Sequence, residues 1–256
     1  MDVCEVAIKR NLKIIAFLEH LELNPEDPGY GYFNYGLYRE IIEKLKRKYK
    51  NRLIILSGIE ITYQKAYEME IYAYLRNKKF DIIVGSIHYV ENIPVDRWVE
   101  EKEKDKTFKK FLPYFDEVRS MCKSNLFNVV GHFDYFKKYM KNPEEFNIKE
   151  YERELRLLLR YIALKNMALE INTQGLRHFV GSPYPDKKII ELYKEEGGKN
   201  LTIGSDAHSS FEVGYKVFET MQFVKSIGIK EITVFNNRKA HKIKIEKIER
   251  YGKLSH

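Results

Sequence analysis

An α/β barrel of parallel strands is predicted by two features of this sequence. Short runs rich in Ile, Val and Leu alternate with amphipathic stretches, which is the pattern of βα units. Five runs, IIAFLEH, IILSGIE, DIIVGSIH, NVVGH and LTIGSDAH, close on His20, Glu60, His88, His132 and the pair Asp206 and His208. In a parallel barrel the C-terminal strand ends meet at one mouth, so such residues converge from distant parts of the chain.

The elements follow in order. Strands are expected near 12–18, 53–59, 81–87, 127–131, 168–172, 201–205 and 231–235, each a short apolar run. Strict alternation is absent, as it should be when core and helices cover both faces of a strand. Helices are expected in the segments YREIIEKLKRKY, AYEMEIYAYLRN, FKKFLPYFDEVRSMC, KEYERELRLLLRYIALKN, DKKIIELYKEE and GYKVFETMQFVKSIG, whose apolar residues recur near helical spacing. Longer loops after the strands, 22–36, 89–105 and 173–185, are expected to shape the mouth. No internal repeat, linker or low-complexity tract divides the chain, so residues 1–256 are read as one domain.

Composition narrows the function classes. Hydrophobic content of 44% with 32% charged residues suits a soluble globular chain. No apolar run approaches the roughly 18 residues that span a bilayer. The start, MDVCEVAIKRNLKII, lacks the features of a secretory signal, and Cys4 and Cys122 are too few for a disulfide framework. A reducing cytoplasm is the expected location. The net charge of +8 is diffuse: EKLKRKYKNR lies on a helix, and HKIKIEKIER alternates signs. A solvated lysine-rich surface is therefore favoured over a nucleic-acid groove, for which a long single-sign face is missing. Oligomeric state has no signature here.

Histidine and carboxylate side chains are the ligands of zinc, manganese and iron, and a carboxylate can bridge two metals that share an activated water. One histidine after a strand is usually structural; several at successive strand ends point to a metal centre. In Asp206, Ala207 and His208, alternate residues leaving a strand can both reach the mouth, although a polar turn capped by Ser205, Ser209 and Ser210 would read the same way.

The segments FLEH (17–20), GIE (58–60), GSIH (85–88), GHFD (131–134), EINTQGLRHFVGSPYP (170–185) and GSDAH (204–208), in this order and spacing, resemble the polymerase and histidinol phosphatase superfamily. The EINTQGLR element is similar to its histidinol-phosphate phosphatase branch, and the resemblance covers nearly the whole chain. It implies a distorted (β/α)7-type, TIM-like barrel, up to three divalent metals, and hydrolysis of L-histidinol phosphate to L-histidinol, the penultimate stage of histidine biosynthesis. It further implies that Glu60 bridges two metals, that His88 and His132 complete the second site, that Asp206 binds the first, and that His20 and His208 bind the third. Glu60, Asp206 and His208 would be the catalytic groups. Arg177 would clamp the substrate phosphate with its planar fork. His178, His241 and His256 match no motif position and are read as loop, surface and terminal residues.

Members of that superfamily begin with a strand bearing an H-x-H pair, whereas no histidine precedes His20 here and MDVCEVAIKRNL matches the helix that follows that strand. The expectation is a barrel without its first strand, an incomplete first metal site, best retention at the second, and a true start upstream. Three other readings follow from the same residues: a phosphoesterase acting on nucleotides or nucleic-acid ends, an N-terminally reduced metal-binding protein with impaired catalysis, and an unrelated barrel enzyme.

Overall fold

The computed structural model describes residues 2–252. Chain order runs α1 (Val3–Lys9), β1 (Ile14–Leu21), α2 (Tyr35–Lys48), β2 (Ile54–Thr62), α3 (Glu68–Leu75), β3 (Ile82–Ser86), β4 (Tyr89–Val90), β5 (Ile93–Pro94), α4 (Val95–Lys104), α5 (Leu112–Lys123) and β6 (Val129–Val130). It continues through α6 (Glu152–Leu164), β7 (Ala168–Asn172), α7 (Lys187–Glu195), β8 (Leu201–Gly204), α8 (Val217–Ser226), β9 (Glu231–Asn236), β10 (Lys239–Lys244) and α9 (Ile245–Gly252). Among the described residues, six parallel strands form one curled sheet in the order β1-β2-β3-β6-β7-β8, the α/β barrel architecture that the sequence predicts. β1 and β8 are its edges.

Helix burial follows the predicted periodicity. In α6, Leu155, Leu158, Leu159 and Ile162 are all essentially inaccessible, an i, i+3, i+4, i+7 stripe whose members each stabilise the fold by about 1.5–3 kcal/mol. The strands are buried on both faces at the sheet centre, where all of β3 is inaccessible, and half-exposed along β1. Parallel register decides which residues meet at the mouth: Ile14 pairs with Ile54 and the pairing runs on so that His20 lies beside Glu60.

Three expectations need correction. The strand expected at 127–131 shortens to Val129–Val130, although hydrogen bonds to its neighbours run on at both ends: the Asn128 amide donates to the Ile83 carbonyl, the Asn128 carbonyl accepts from the Ala168 amide, and the Gly131 amide donates to the Gly85 carbonyl, each at 2.9 Å. The loop expected at 89–105 contains the β4–β5 hairpin and α4. The charges of VDRWVEEKEK obscure an i, i+3, i+4 stripe, Val95, Trp98 and Val99, that is fully buried. The strand at 231–235 does form, but it pairs antiparallel with β10 rather than joining the parallel sheet. Asn237 and Arg238 between them both have positive φ, 48° and 62°, which suits the two-residue hairpin turn that follows strand twist. Asp81 pins this tip: its Oδ1 accepts from the Asn237 amide at 3.1 Å and its carbonyl from the Arg238 amide at 2.9 Å.

Candidate metal and phosphate site

The C-terminal strand ends open into a cleft of ≈ 500 Å³ whose lining includes His20, Glu60, His88, His132, Arg177, Asp206 and His208. All seven predicted site residues thus share one cavity. Glu60 is its hub. One oxygen, Oε1, accepts from Ser86 Oγ at 2.6 Å and meets His132 Nε2 at 2.9 Å and His88 Nε2 at 3.7 Å; Oε2 lies 3.7 Å from His20 Nε2. Burial alone would raise the pKa of this carboxyl. The hydrogen bond from His132 and the fields of His132, His20 and His88 more than reverse that, holding it well below the usual carboxylate range.

The histidines are differentiated by their surroundings. His88 is pushed down to about 4, first by burial and then by the neighbouring His132, so its ring is neutral near pH 7. Thr62 Oγ1 contacts its Nδ1 at 2.7 Å, which leaves Nε2 to the cleft. His132, just 3% exposed at the side chain, is opposed by burial but raised overall by its bond to Glu60. His20 is pushed up to about 9, by the Glu22 carboxylate 3.4 Å from its Nδ1 and then by Glu60.

This donor set fits a divalent cation. His88 Nε2 and His132 Nε2 face each other at 3.4 Å while both approach Glu60 Oε1, so three lone-pair groups converge where protons alone satisfy them poorly. Ligand atoms of Glu60, His88 and His132 lie within 4.8 Å of one another, as do those of His20, Glu22 and His88. Imidazole with carboxylate is the chemistry that zinc, manganese and iron accept. Asp206 and His208 stand at the mouth outside these two groups.

Glycine and strand-end chemistry hold the hub in place. A Cβ at Gly131 would lie 2.7 Å from Ser86 Oγ and 2.8 Å from Val84 Cγ1, so only glycine lets the hydroxyl reach Glu60. Behind the site Glu170, raised to about 7 by burial, accepts from the His132 amide at 3.0 Å and from Asn172 Nδ2 at 3.3 Å. Asn172 Nδ2 also reaches Asp206 Oδ2 at 3.2 Å, so one buried network runs from β6 to β8.

Arg177 is engaged differently from a free clamp. Its NH1 and NH2 donate to the carbonyls of Ser205 and Asp206 at 2.7 and 2.9 Å, and its Nε lies 3.5 Å from Glu212. It thereby braces Asp206, whose φ of 47° is a left-handed conformation that costs a non-glycine residue on the order of 1 kcal/mol. Arg177 nevertheless lines the cleft, with N–H groups to spare beyond those bonds.

Sequence reasoning missed several lining residues. Lys138, whose Nζ donates to Tyr135 Oη at 2.6 Å, has its pKa lowered by burial. Tyr135 packs on the His132 ring at 4.3 Å between centroids. Tyr135 and Lys138 lie three and six residues past His132 on a 3-10 turn, Tyr135–Tyr139, so the segment FDYFKKY carried a readable signal only once that turn is placed over the mouth. Glu22, Asp27 and Glu212 also line the cleft, as does His178, a loop residue that matches no motif position. His241 is exposed on β10 as expected, and His256 lies outside the described residues.

Residues 1–174 match the family described as PHP domain. The chain belongs to the PHP domain family. Two curated relatives are the probable histidinol-phosphatase of Schizosaccharomyces pombe, 26% identical over 89% of this chain and 81% of the relative, and the histidinol-phosphatase of Lactococcus lactis, 27% identical over 93% and 88%. A probable histidinol-phosphatase of Thermotoga maritima is 32% identical over 60% of each chain. The fold matches the crystal structure of the histidinol phosphate phosphatase of Lactococcus lactis, solved with zinc, L-histidinol and phosphate. That match has a TM-score of 0.80 at 23% identity and covers 94% of this chain and 91% of the other. In this PHP domain the motif residues quoted above occupy the strand ends around the cleft.

Proposed function

We propose that this PHP-domain protein is a metal-dependent histidinol-phosphatase, releasing phosphate from L-histidinol phosphate in histidine biosynthesis, in the cytoplasm. The observation that carries the reading is one cleft in which a buried, anionic Glu60 sits among His20, His88 and His132 while Lys138 and Arg177 supply positive charge alongside. The curated relatives, named as histidinol-phosphatases across fungi and bacteria, support the substrate. Two free, buried cysteines agree with a reducing compartment, and no helix among the described residues is long and apolar enough to cross a membrane.

Glu60, His88 and His132 would hold the metal best, with His20, Asp206 and His208 as the further ligands that the resemblance assigns. A divalent cation in such a set, whether zinc, manganese or iron, supplies Lewis acidity and a nucleophilic water near neutral pH. The chain itself performs the remaining tasks. Ser86 and His132 keep the Glu60 carboxylate ionised and oriented, Thr62 presents His88 Nε2, and Glu170 fixes the backbone that carries His132. Lys138 and Arg177 offer N–H donors to the non-bridging phosphate oxygens, where positive charge offsets the charge of the phosphoryl group. Assistance to the departing alkoxide would fall to a group at the mouth, Asp206 or His208, or to a water there.

The test is phosphate release from L-histidinol phosphate by zinc- or manganese-loaded protein, compared with Glu60→Gln and His132→Ala. Both variants should lose turnover by about 10³-fold or more while remaining folded by circular dichroism. Unaltered turnover in both would remove Glu60 and His132 from the site, and absence of phosphate release by the loaded wild type would remove the substrate assignment.

A further inference from the structure

Apart from His20, Glu60, His88 and His132, and from Asp206 and Glu212, which follow β8 and are engaged by Asn172 and Arg177, the charges lining the cleft divide by position in the sheet. Lys138, Arg177 and His178 come from the segments that follow β6 and β7, whereas Glu22 and Asp27 come from the segment that follows β1. Strand order places β1 and β7 on opposite sides of the Glu60, His88 and His132 cluster. A phosphate monoester drawn to the cationic side therefore has its alcohol portion directed toward carboxylates.

The Glu22 side chain is 8% exposed, and one of its oxygens is unsatisfied. Oε1 lies 3.4 Å from His20 Nδ1, which orients that ring so that Nε2 faces Glu60. Oε2 is buried without any hydrogen-bond partner, although Glu22 borders the cleft. A buried carboxylate oxygen left without a donor is costly, and in a binding cleft the missing donor is most simply a group of the ligand. Asp27 is held ready nearby: its Oδ1 accepts from the Gly29 amide at 2.7 Å and its Oδ2 from Tyr89 Oη at 2.8 Å, so its negative charge is fixed at the rim. A neutral alcohol would leave the Glu22 Oε2 without a cationic partner of its own. An ammonium supplies charge and three donors in a compact head.

We propose that Glu22, supported by Asp27, is the specificity-determining group that selects phosphate monoesters whose alcohol carries an ammonium, binding that ammonium through the unpaired Oε2. This rests on the phosphatase reading above and names which residues read the organic half of the substrate. Glu22 then has two separate tasks, one oxygen positioning His20 and the other receiving the amine.

The experiment compares L-histidinol phosphate with its deamino analogue, 3-(imidazol-4-yl)propyl phosphate, in wild type, Glu22→Gln and Asp27→Asn. Wild type should favour the amine by about thirtyfold or more in kcat/KM, the scale of a charge-assisted hydrogen bond. Glu22→Gln should collapse that ratio toward one and Asp27→Asn should lower it severalfold; any general damage to the metal-dependent step affects both esters and cancels in the ratio. A Glu22→Gln enzyme that loses both activities by the same factor, keeping its preference, would overturn the proposal and leave Glu22 as a His20 partner or metal ligand. Binding of L-histidinol to the zinc-loaded protein in the presence of phosphate, measured by calorimetry, reads the amine site without turnover. Affinity falling about tenfold or more in Glu22→Gln supports the proposal, and equal affinity overturns it. If the wild type cleaves neither ester yet binds L-histidinol through Glu22, the phosphatase reading fails and the amine site stands.

Discussion

Replacing Gly131 by alanine tests whether the hub carboxylate depends on a missing methyl group. The new Cβ would lie 2.7 Å from Ser86 Oγ, 2.8 Å from Val84 Cγ1 and 3.3 Å from the Gly85 carbonyl, two of these contacts being closer than atoms tolerate. Val84 and Gly85 are paired to β6 and cannot retreat without disturbing the sheet, so Ser86 must rotate away and surrender its 2.6 Å bond to Glu60. Overpacking costs about 1–3 kcal/mol and loss of a hydrogen bond to a buried charge about 1.5–3 kcal/mol. A combined loss of roughly 3–5 kcal/mol corresponds to a fall in Tm of about 6–20 °C for a chain of this size. Scanning calorimetry of the metal-free protein measures it, and zinc titration should show weaker binding because Glu60 is no longer oriented. Ser86→Ala is the informative partner: alone it removes the donor, and in its presence Gly131→Ala should cost less than in the wild type, since one of the two severe clashes is gone. Strict additivity, or a Gly131→Ala protein with wild-type Tm and zinc affinity, would refute the claim that this glycine exists to let Ser86 reach Glu60.

Other consequences are open to direct measurement. Because His20 is pushed up to about 9, it holds a proton at neutral pH in the metal-free protein, so zinc binding at pH 7 should release about one proton. Calorimetry in buffers of different ionisation enthalpy counts it, and no proton release would contradict the assigned ligands. His88 acts in the opposite direction: the unfolded chain takes up a proton near 6.5 while the folded protein resists until about 4. Its contribution to stability is therefore intact above the higher value and lost as pH falls across that interval. Denaturant midpoints of the metal-free protein should drop there, and His88→Asn should flatten the decline. Arg177→Lys keeps the charge but cannot hold the Ser205 and Asp206 carbonyls together, so kcat/KM should fall about tenfold or more. An unimpaired Arg177→Lys enzyme would show that the brace on Asp206 is dispensable.

The sequence by itself determined the barrel and which histidines and carboxylates stand at its mouth. Strand ends in a parallel sheet share one rim, so a histidine or carboxylate closing an apolar run is already located, and His20, Glu60, His88, His132 and Asp206 were legible for that reason alone. What the spacing could not contain is how the intervening loops fold back over the rim. Lys138, Tyr135 and His178 lie in segments without periodicity, and their side chains reach the cleft only through the turns those segments make, while Glu22 directly follows β1. The same holds for Arg177, whose two carbonyl partners are 28 and 29 residues away. α4 was hidden because its three buried residues are outnumbered by charges, and the β9–β10 hairpin because two positive-φ residues that are not glycine form its turn. Local pattern records which face of an element is apolar. Electrostatic values such as the depressed His88 and the elevated His20 depend on which charges are brought within a few ångströms, and only the tertiary structure decides that.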